Sequence, residues 1–158
     1  MRKNEKPDYE KLLARAAKIC STSEKCSHEM HQKLTDWGLD EAQSAKAIEY
    51  LEKNQFIDDK RFAEFFVKDK VRINHWGKIK IAYTLHQKQL SDQIINEALQ
   101  SISEEEYNSA LDEILQKKIK STGDISDYAA KAKVIRFAAQ RGFSQEDIYN
   151  ALGRIGQE

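Results

Sequence analysis

The chain has 158 residues, with 26 Lys and Arg balanced by 26 Asp and Glu, one Pro and six Gly. Scarce breakers among many Ala, Leu, Ile, Glu, Lys and Gln favour helix, because straight-chain residues lose little rotamer freedom there. No apolar run approaches the roughly 20 residues that cross a bilayer, and the polar start MRKNEKPDYE has no hydrophobic segment behind it. A cytoplasmic chain without a secretory signal is therefore expected.

The first helical pattern is LLARAAKIC, 12–20, and the N-terminal eight residues read as a flexible end. Cys20, Cys26, His28 and His31 follow within twelve residues. As a zinc set their spacing is poor, since structural sites pair ligands tightly at both ends of a longer loop. On a helix they read instead as solvent-facing histidines and half-buried thiols. No disulfide framework, metal or cofactor is expected.

From here the chain repeats itself. EMHQKLTDWGLDEAQSAKAI (29–48), KIAYTLHQKQLSDQIINEAL (80–99) and KVIRFAAQRGFSQEDIYNAL (133–152) align at offsets of 51 and then 53 residues. Met30, Ile81 and Val134 coincide, as do Leu34, Leu85 and Ala138, then Leu39, Leu90 and Phe143, then Ile48, Leu99 and Leu152. The first two positions of each set lie four apart and share a helical face. Gly38 and Gly142 fall where a helix would end in a left-handed residue, while Gln89 stands at that place in the second segment. Asp40, Ser91 and Ser144 then suit the cap of a following helix.

Each repeat has an amphipathic helix in front: 12–20, RFAEFFVKDKVRI (61–73) and YNSALDEILQKKI (107–119). The expected fold is all-α, an elongated array of three tandem three-helix repeats spanning 9–56, 57–101 and 104–156. Units of this size bury little alone and must stack. The polar run KSTGDISD, 120–127, reads as a second flexible point, and Asp58–Asp59 and Glu104–Glu105–Glu106 as helix-start charges.

Charge is unevenly placed along this array. Residues 60–90 hold eight cations and two anions, a net of +6, whereas 91–128 hold three cations and nine anions, a net of −6. Such asymmetry suits a charged partner, although long charged side chains also merely solvate helices. In 61–73, Phe62, Phe66 and Ile73 form the expected core stripe, with Arg61, Lys68 and Arg72 on another stripe beside Phe65. In the next helix Ile81, Ala82 and Leu85 face the core, Lys80 and Gln87 point away, and Ile79 and Tyr83 form a second apolar stripe. Trp76 reads either as an interface anchor or as a plug between helices, and Gly77 as the residue of a tight turn. The candidate contact residues are Arg61, Lys68, Lys70, Arg72, Trp76, Lys78, Lys80 and Lys88.

Nucleic acid and an acidic protein surface both suit this segment. The neutral overall charge lacks the basic bias of a dedicated nucleic-acid binder. Catalysis is disfavoured, because no phosphate-cradling GxxxxGK, nucleophile elbow, HExxH or paired CxxC occurs.

The run FIDDKRFAEFFVKDKVRINHWGKIKIAYTLHQKQLSDQIINEAL resembles the central signature of the RecX regulatory proteins. Asp58, Asp59, Phe62, Ala63, Gly77, Ile81 and Leu85 stand at that pattern's places, and Arg141, Gly142 and Phe143 match the turn of its C-terminal repeat. The resemblance runs from about Leu12 to Leu152. It implies a monomeric, non-enzymatic modulator that lies in the groove of the RecA recombinase filament and inhibits ATP hydrolysis and strand exchange. Direct binding of single-stranded DNA is the alternative reading, and no membrane partner is implied.

Overall fold

The computed structural model describes residues 8–156, so the first seven residues of the expected flexible end lie outside it. Among the described residues there are nine helices and no strands: α1 Tyr9–Thr22, α2 Ser27–Asp36, α3 Glu41–Lys53, α4 Asp59–Arg72, α5 Lys78–Gln87, α6 Asp92–Gln100, α7 Glu104–Thr122, α8 Tyr128–Gln140 and α9 Gln145–Ile155. None is long and apolar enough to cross a membrane. They form an all-α array of three-helix units.

The internal repeat has a hydrogen-bonded basis. Leu39, Leu90 and Phe143 each donate a backbone N–H to the carbonyl five residues earlier, at Leu34, Leu85 and Ala138. That is the closing bond of a helix ending in a left-handed residue. Gly38 and Gly142 supply positive φ at 111° and 99°, and Gln89 adopts the same geometry at 61° without being glycine. Side-chain caps follow in all three units, with Gln43, Ile94 and Asp147 N–H groups donating to Asp40, Ser91 and Ser144.

The aligned positions Met30, Ile81 and Val134 are fully buried, as are Leu34, Leu85 and Ala138. The set Ile48, Leu99 and Leu152 is less uniform, half-buried in the first two units. Immediately before it, Ala47, Ala98 and Ala151 are all buried completely. Alanine thus recurs at a fully buried position of the third helix in each unit.

Two cores result. Leu13, Ala16, Met30, Leu34, Leu39, Ala47 and Leu51 form the first unit's core, with Ile57 from the start of the second unit packed into it. The second and third units share a single larger core, which includes Phe62, Val67, Ile81, Leu111, Val134 and Phe143.

Two expectations are corrected. Ile73 is 70% exposed, because α4 ends at Arg72 and leaves it in the cap; Val67 and Val71 take the core positions beside Phe62 and Ala63. Cys26 is fully buried and lies at the N-cap of α2, off the helix, where burial lifts its thiol pKa to about 11; Cys20 is half-buried. The run 120–127 begins as the last turn of α7 and turns at Gly123 with φ 105°, after which Asp124 accepts from the Ser126 N–H and hydroxyl.

Candidate functional site

The second unit is set on its neighbours by groups at the ends of α4 and α5. Asp58 caps α4 by accepting the Arg61 N–H at 3.1 Å. Asp59 does something spacing alone could not reveal, accepting the Ser27 N–H at 2.7 Å and its hydroxyl at 2.6 Å, and so capping α2 of the first unit.

Gly77 has an ordinary φ of −86°, so turn geometry is not what requires glycine there. Its N–H donates to the Arg141 carbonyl at 2.8 Å and the Ile79 N–H donates to the Gly142 carbonyl at 3.0 Å. A Cβ at Gly77 would collide with the Gly142 carbonyl and the Phe143 nitrogen, and a Cβ at Gly142 with Lys80. Arg141 also reaches back to the Asn74 carbonyl at 2.7 Å. The glycine of the basic segment and the Arg-Gly-Phe turn are therefore two halves of one joint.

The eight candidate residues separate into groups. Arg61 pairs with Glu24 at 2.8 Å, Arg72 forks onto Glu106, and Lys88 pairs with Glu29. Each of these ties two units together. Lys70 and Lys80 converge on Trp76, with ammonium groups 4.9 and 4.3 Å from its ring centroid. The half-buried Trp76 packs edge-on against Phe66 at 6.4 Å. Lys78 lies 4.8 Å from the Tyr107 ring, and its backbone N–H donates to the Tyr107 hydroxyl at 2.9 Å; burial raises that phenol's pKa to about 12. Lys68 makes no ion pair among the described residues, although it adds to the positive field that lowers Glu106 after the Arg72 hydrogen bond.

Part of the acidic segment thus neutralises part of the basic one. Lys60–Glu97 at 3.9 Å and Arg72–Glu106 both run between the +6 and −6 stretches. His75, held at φ 54°, meets Glu113 at 3.2 Å and lowers that carboxyl's pKa. The sequence offers each charge but not its distant counter-ion.

What remains open on the second unit is apolar as well as cationic. Among the described residues, four of the seven large hydrophobic side chains that stand exposed are Phe65, Ile73, Ile79 and Tyr83. Exposed apolar groups on the same helices as aromatic-bound ammonium groups suit an interaction surface. Groups of three or more His, Cys, Asp or Glu able to hold a metal do not occur among the described residues.

The family models match the same units: a RecX second three-helix domain over residues 58–99 and a RecX third three-helix domain over 104–152. The chain belongs to the RecX family. A regulatory protein RecX of Clostridium tetani is 31% identical over 96% of this chain and 70% of its own length. That of Clostridium acetobutylicum is 32% identical over 98% and 73%, and that of Chlorobium phaeobacteroides 33% identical over 94% and 95%. The crystal structure of RecX from Lactobacillus salivarius superposes with a TM-score of 0.83, covering 95% of this chain and 97% of that one at 20% identity. Within the RecX fold, the glycine joint and the Trp76 cluster both lie inside the matched domains.

Proposed function

We propose that this RecX-family protein is a monomeric, non-enzymatic negative modulator of the RecA recombinase in the cytoplasm. In this reading it binds along the groove of the RecA–DNA filament and slows ATP hydrolysis and strand exchange during recombinational repair and the response to DNA damage. The carrying observation is the second unit's mixed surface, which exposes Phe65, Ile73, Ile79 and Tyr83 on the same two helices and connecting turn that carry Lys68, Lys70, Lys80 and Trp76. Apolar anchors beside cations suit a protein groove that also presents phosphates. Its relatives bear the name of regulatory proteins, which agrees with action on another protein. Lys68, Lys70, Lys78, Lys80 and Trp76 are the contact residues in this reading; Arg61, Arg72 and Lys88 act chiefly by holding the units in line.

The test is single-stranded-DNA-dependent ATP hydrolysis by the cognate RecA, titrated with this protein, beside its binding to bare DNA in the same salt. Inhibition at concentrations well below those that bind bare DNA is expected. The Lys68→Glu, Lys70→Glu variant should relieve it by tenfold or more in the half-inhibiting concentration, about 1.4 kcal/mol. Absence of inhibition, with salt-sensitive binding to bare DNA, would leave the direct DNA-binding reading instead.

A further inference from the structure

The third unit carries a second arrangement of cations and rings, away from the joint with the second unit. α8 has the sequence YAAKAKVIRFAAQ and contains no acidic residue. Its buried positions are Val134 and Ala138. Another side of α8 borders a groove of about 460 Å³ shared with α9, lined by Tyr128, Lys131, Ile135, Arg136, Gln145 and Tyr149 with alanines between them. Tyr128 is 87% exposed and Tyr149 52%. The Lys131 ammonium lies 6.0 Å from the Tyr149 ring centroid.

The electrostatics differ from those at the second unit's edges. There Arg61, Arg72 and Lys88 each hold a carboxylate. Among the described residues neither Lys131 nor Arg136 has an ion-pair partner, and no carboxylate lines the groove. The nearest acid along α8, Asp127, is occupied in capping the Ala130 N–H. Uncompensated cations alternate here with flat, accessible rings and one side-chain amide. Phosphates need the first, and unpaired bases can stack on the second regardless of sequence. From Tyr128 to Arg136 the helix rises about 12 Å, room for a few nucleotides.

We propose that the α8–α9 groove holds a short stretch of single-stranded DNA, with Tyr128 and Tyr149 stacking on bases and Lys131 and Arg136 against phosphates. This site is separate from the second-unit surface and does not depend on how that surface acts on RecA. An acidic peptide would use the same cations, but only a strand with unpaired bases brings a flat group beside every negative charge.

The experiment uses the full chain and a fluorescein-labelled oligothymidylate, with anisotropy followed across a NaCl series. Tyr128→Ala with Tyr149→Ala should weaken binding at least tenfold, given that each stacked base contributes about 1–3 kcal/mol. Lys131→Gln with Arg136→Gln should lower the salt slope by about two, one for each phosphate that is no longer neutralised. Both pairs of side chains are exposed, so thermal unfolding should stay at the parent value and certify the fold. An oligothymidylate bearing 5-iododeoxyuridine should photo-crosslink to the peptides containing Tyr128 or Tyr149. Parent affinity in both variants, crosslinks confined to the second unit, or no binding even at low salt would each overturn the assignment; the last outcome would favour an acidic protein occupant. RecA inhibition is read separately, so the two proposals fail independently.

Discussion

The second and third units meet through glycine backbones and a shared apolar core, whereas the first and second meet through carboxylates and cations. At the former joint Gly77 and Gly142 bring two main chains into direct contact, with two backbone hydrogen bonds across them. At the latter, Arg61–Glu24, Lys88–Glu29 and the Ser27–Asp59 hydrogen bonds carry the contact, and among the described residues Cys26 is the one first-unit residue within the other units' core. Apolar burial is indifferent to modest salt, while partly exposed ion pairs are screened. A sequence repeated three times has therefore produced two joints that differ in chemistry and in response to solution conditions.

The largest effect should come from breaking the tighter joint. Gly142→Val adds a side chain against Lys80 and also forces a β-branched residue to φ 99°. Overpacking and left-handed strain together should cost about 3–5 kcal/mol. For a chain of this size that lowers the thermal midpoint by roughly 6–20 °C. Gly77→Ala tests the same contact without strain in φ, since that position is at −86°, and should cost less. A Gly77→Ala protein as stable as the parent would show that the backbone contact is dispensable.

The looser joint should yield next. Arg61→Ala leaves Glu24 without its guanidinium, and one oxygen of that carboxylate is already buried without a hydrogen-bond partner. A loss of about 1–2 kcal/mol is expected. Its sharper signature is local. Cys26 is buried and its thiol pKa lies at about 11, so it should resist alkylation unless the first unit lifts away, because the thiolate is the reactive form. In a Cys20→Ser background, labelling of Cys26 should accelerate with Arg61→Ala and with added NaCl. Labelling indifferent to both would mean that the ion pairs do not govern this joint.

Much of this architecture can be read from the residues, because helix ends obey local rules. The αL turns and their Asp or Ser caps need only a few neighbouring residues, and all three stand at offsets of 51 and 53. Ala47, Ala98 and Ala151 repeat at those same offsets, a buried set that the larger residues beside it overshadow. The phase of α4 misleads because Phe62 and Phe66 dominate by size; the buried arc passes through Ala63, Val67 and Val71. Counter-ions are out of reach for a different reason. Glu24 and Arg61 are 37 positions apart, and Gly77 and Arg141 further still, so only the stacking of units makes them neighbours. That stacking is what gives Arg61, Arg72 and Lys88, expected as partner contacts, carboxylates on neighbouring units.

Acid should act on the tighter joint through its few ionic contacts. Hydrogen bonding to Arg72 lowers the Glu106 pKa, and hydrogen bonding to His75 lowers that of Glu113. Both pairs run from the second unit to α7. A carboxyl whose folded pKa is depressed stabilises above its unfolded value, near 4.3, and loses that contribution as pH falls through the folded value. The thermal midpoint should therefore drop below about pH 4.5, and Glu106→Gln with Glu113→Gln should flatten the drop while lowering stability slightly at pH 7. An unchanged acid limb in that variant would place the sensitivity at other carboxylates.

The smallest expected change concerns the turn in which the second unit departs from its neighbours. Gln89 holds φ 61° and donates to the His86 carbonyl at 3.0 Å, while Leu90 closes on Leu85 as its counterparts do in the other units. A left-handed non-glycine residue costs about 1–2 kcal/mol, whereas glycine there would lose about 0.5–1 kcal/mol more chain entropy on folding. The two effects oppose, and Gln89→Gly should stabilise by about 0.5 kcal/mol, a rise of roughly 1–2 °C in thermal midpoint. The same substitution leaves both joints untouched, so Cys26 labelling should stay at the parent rate once corrected for global stability. A clear loss of stability would mean that Gln89 gains more from its surface position than its backbone geometry costs.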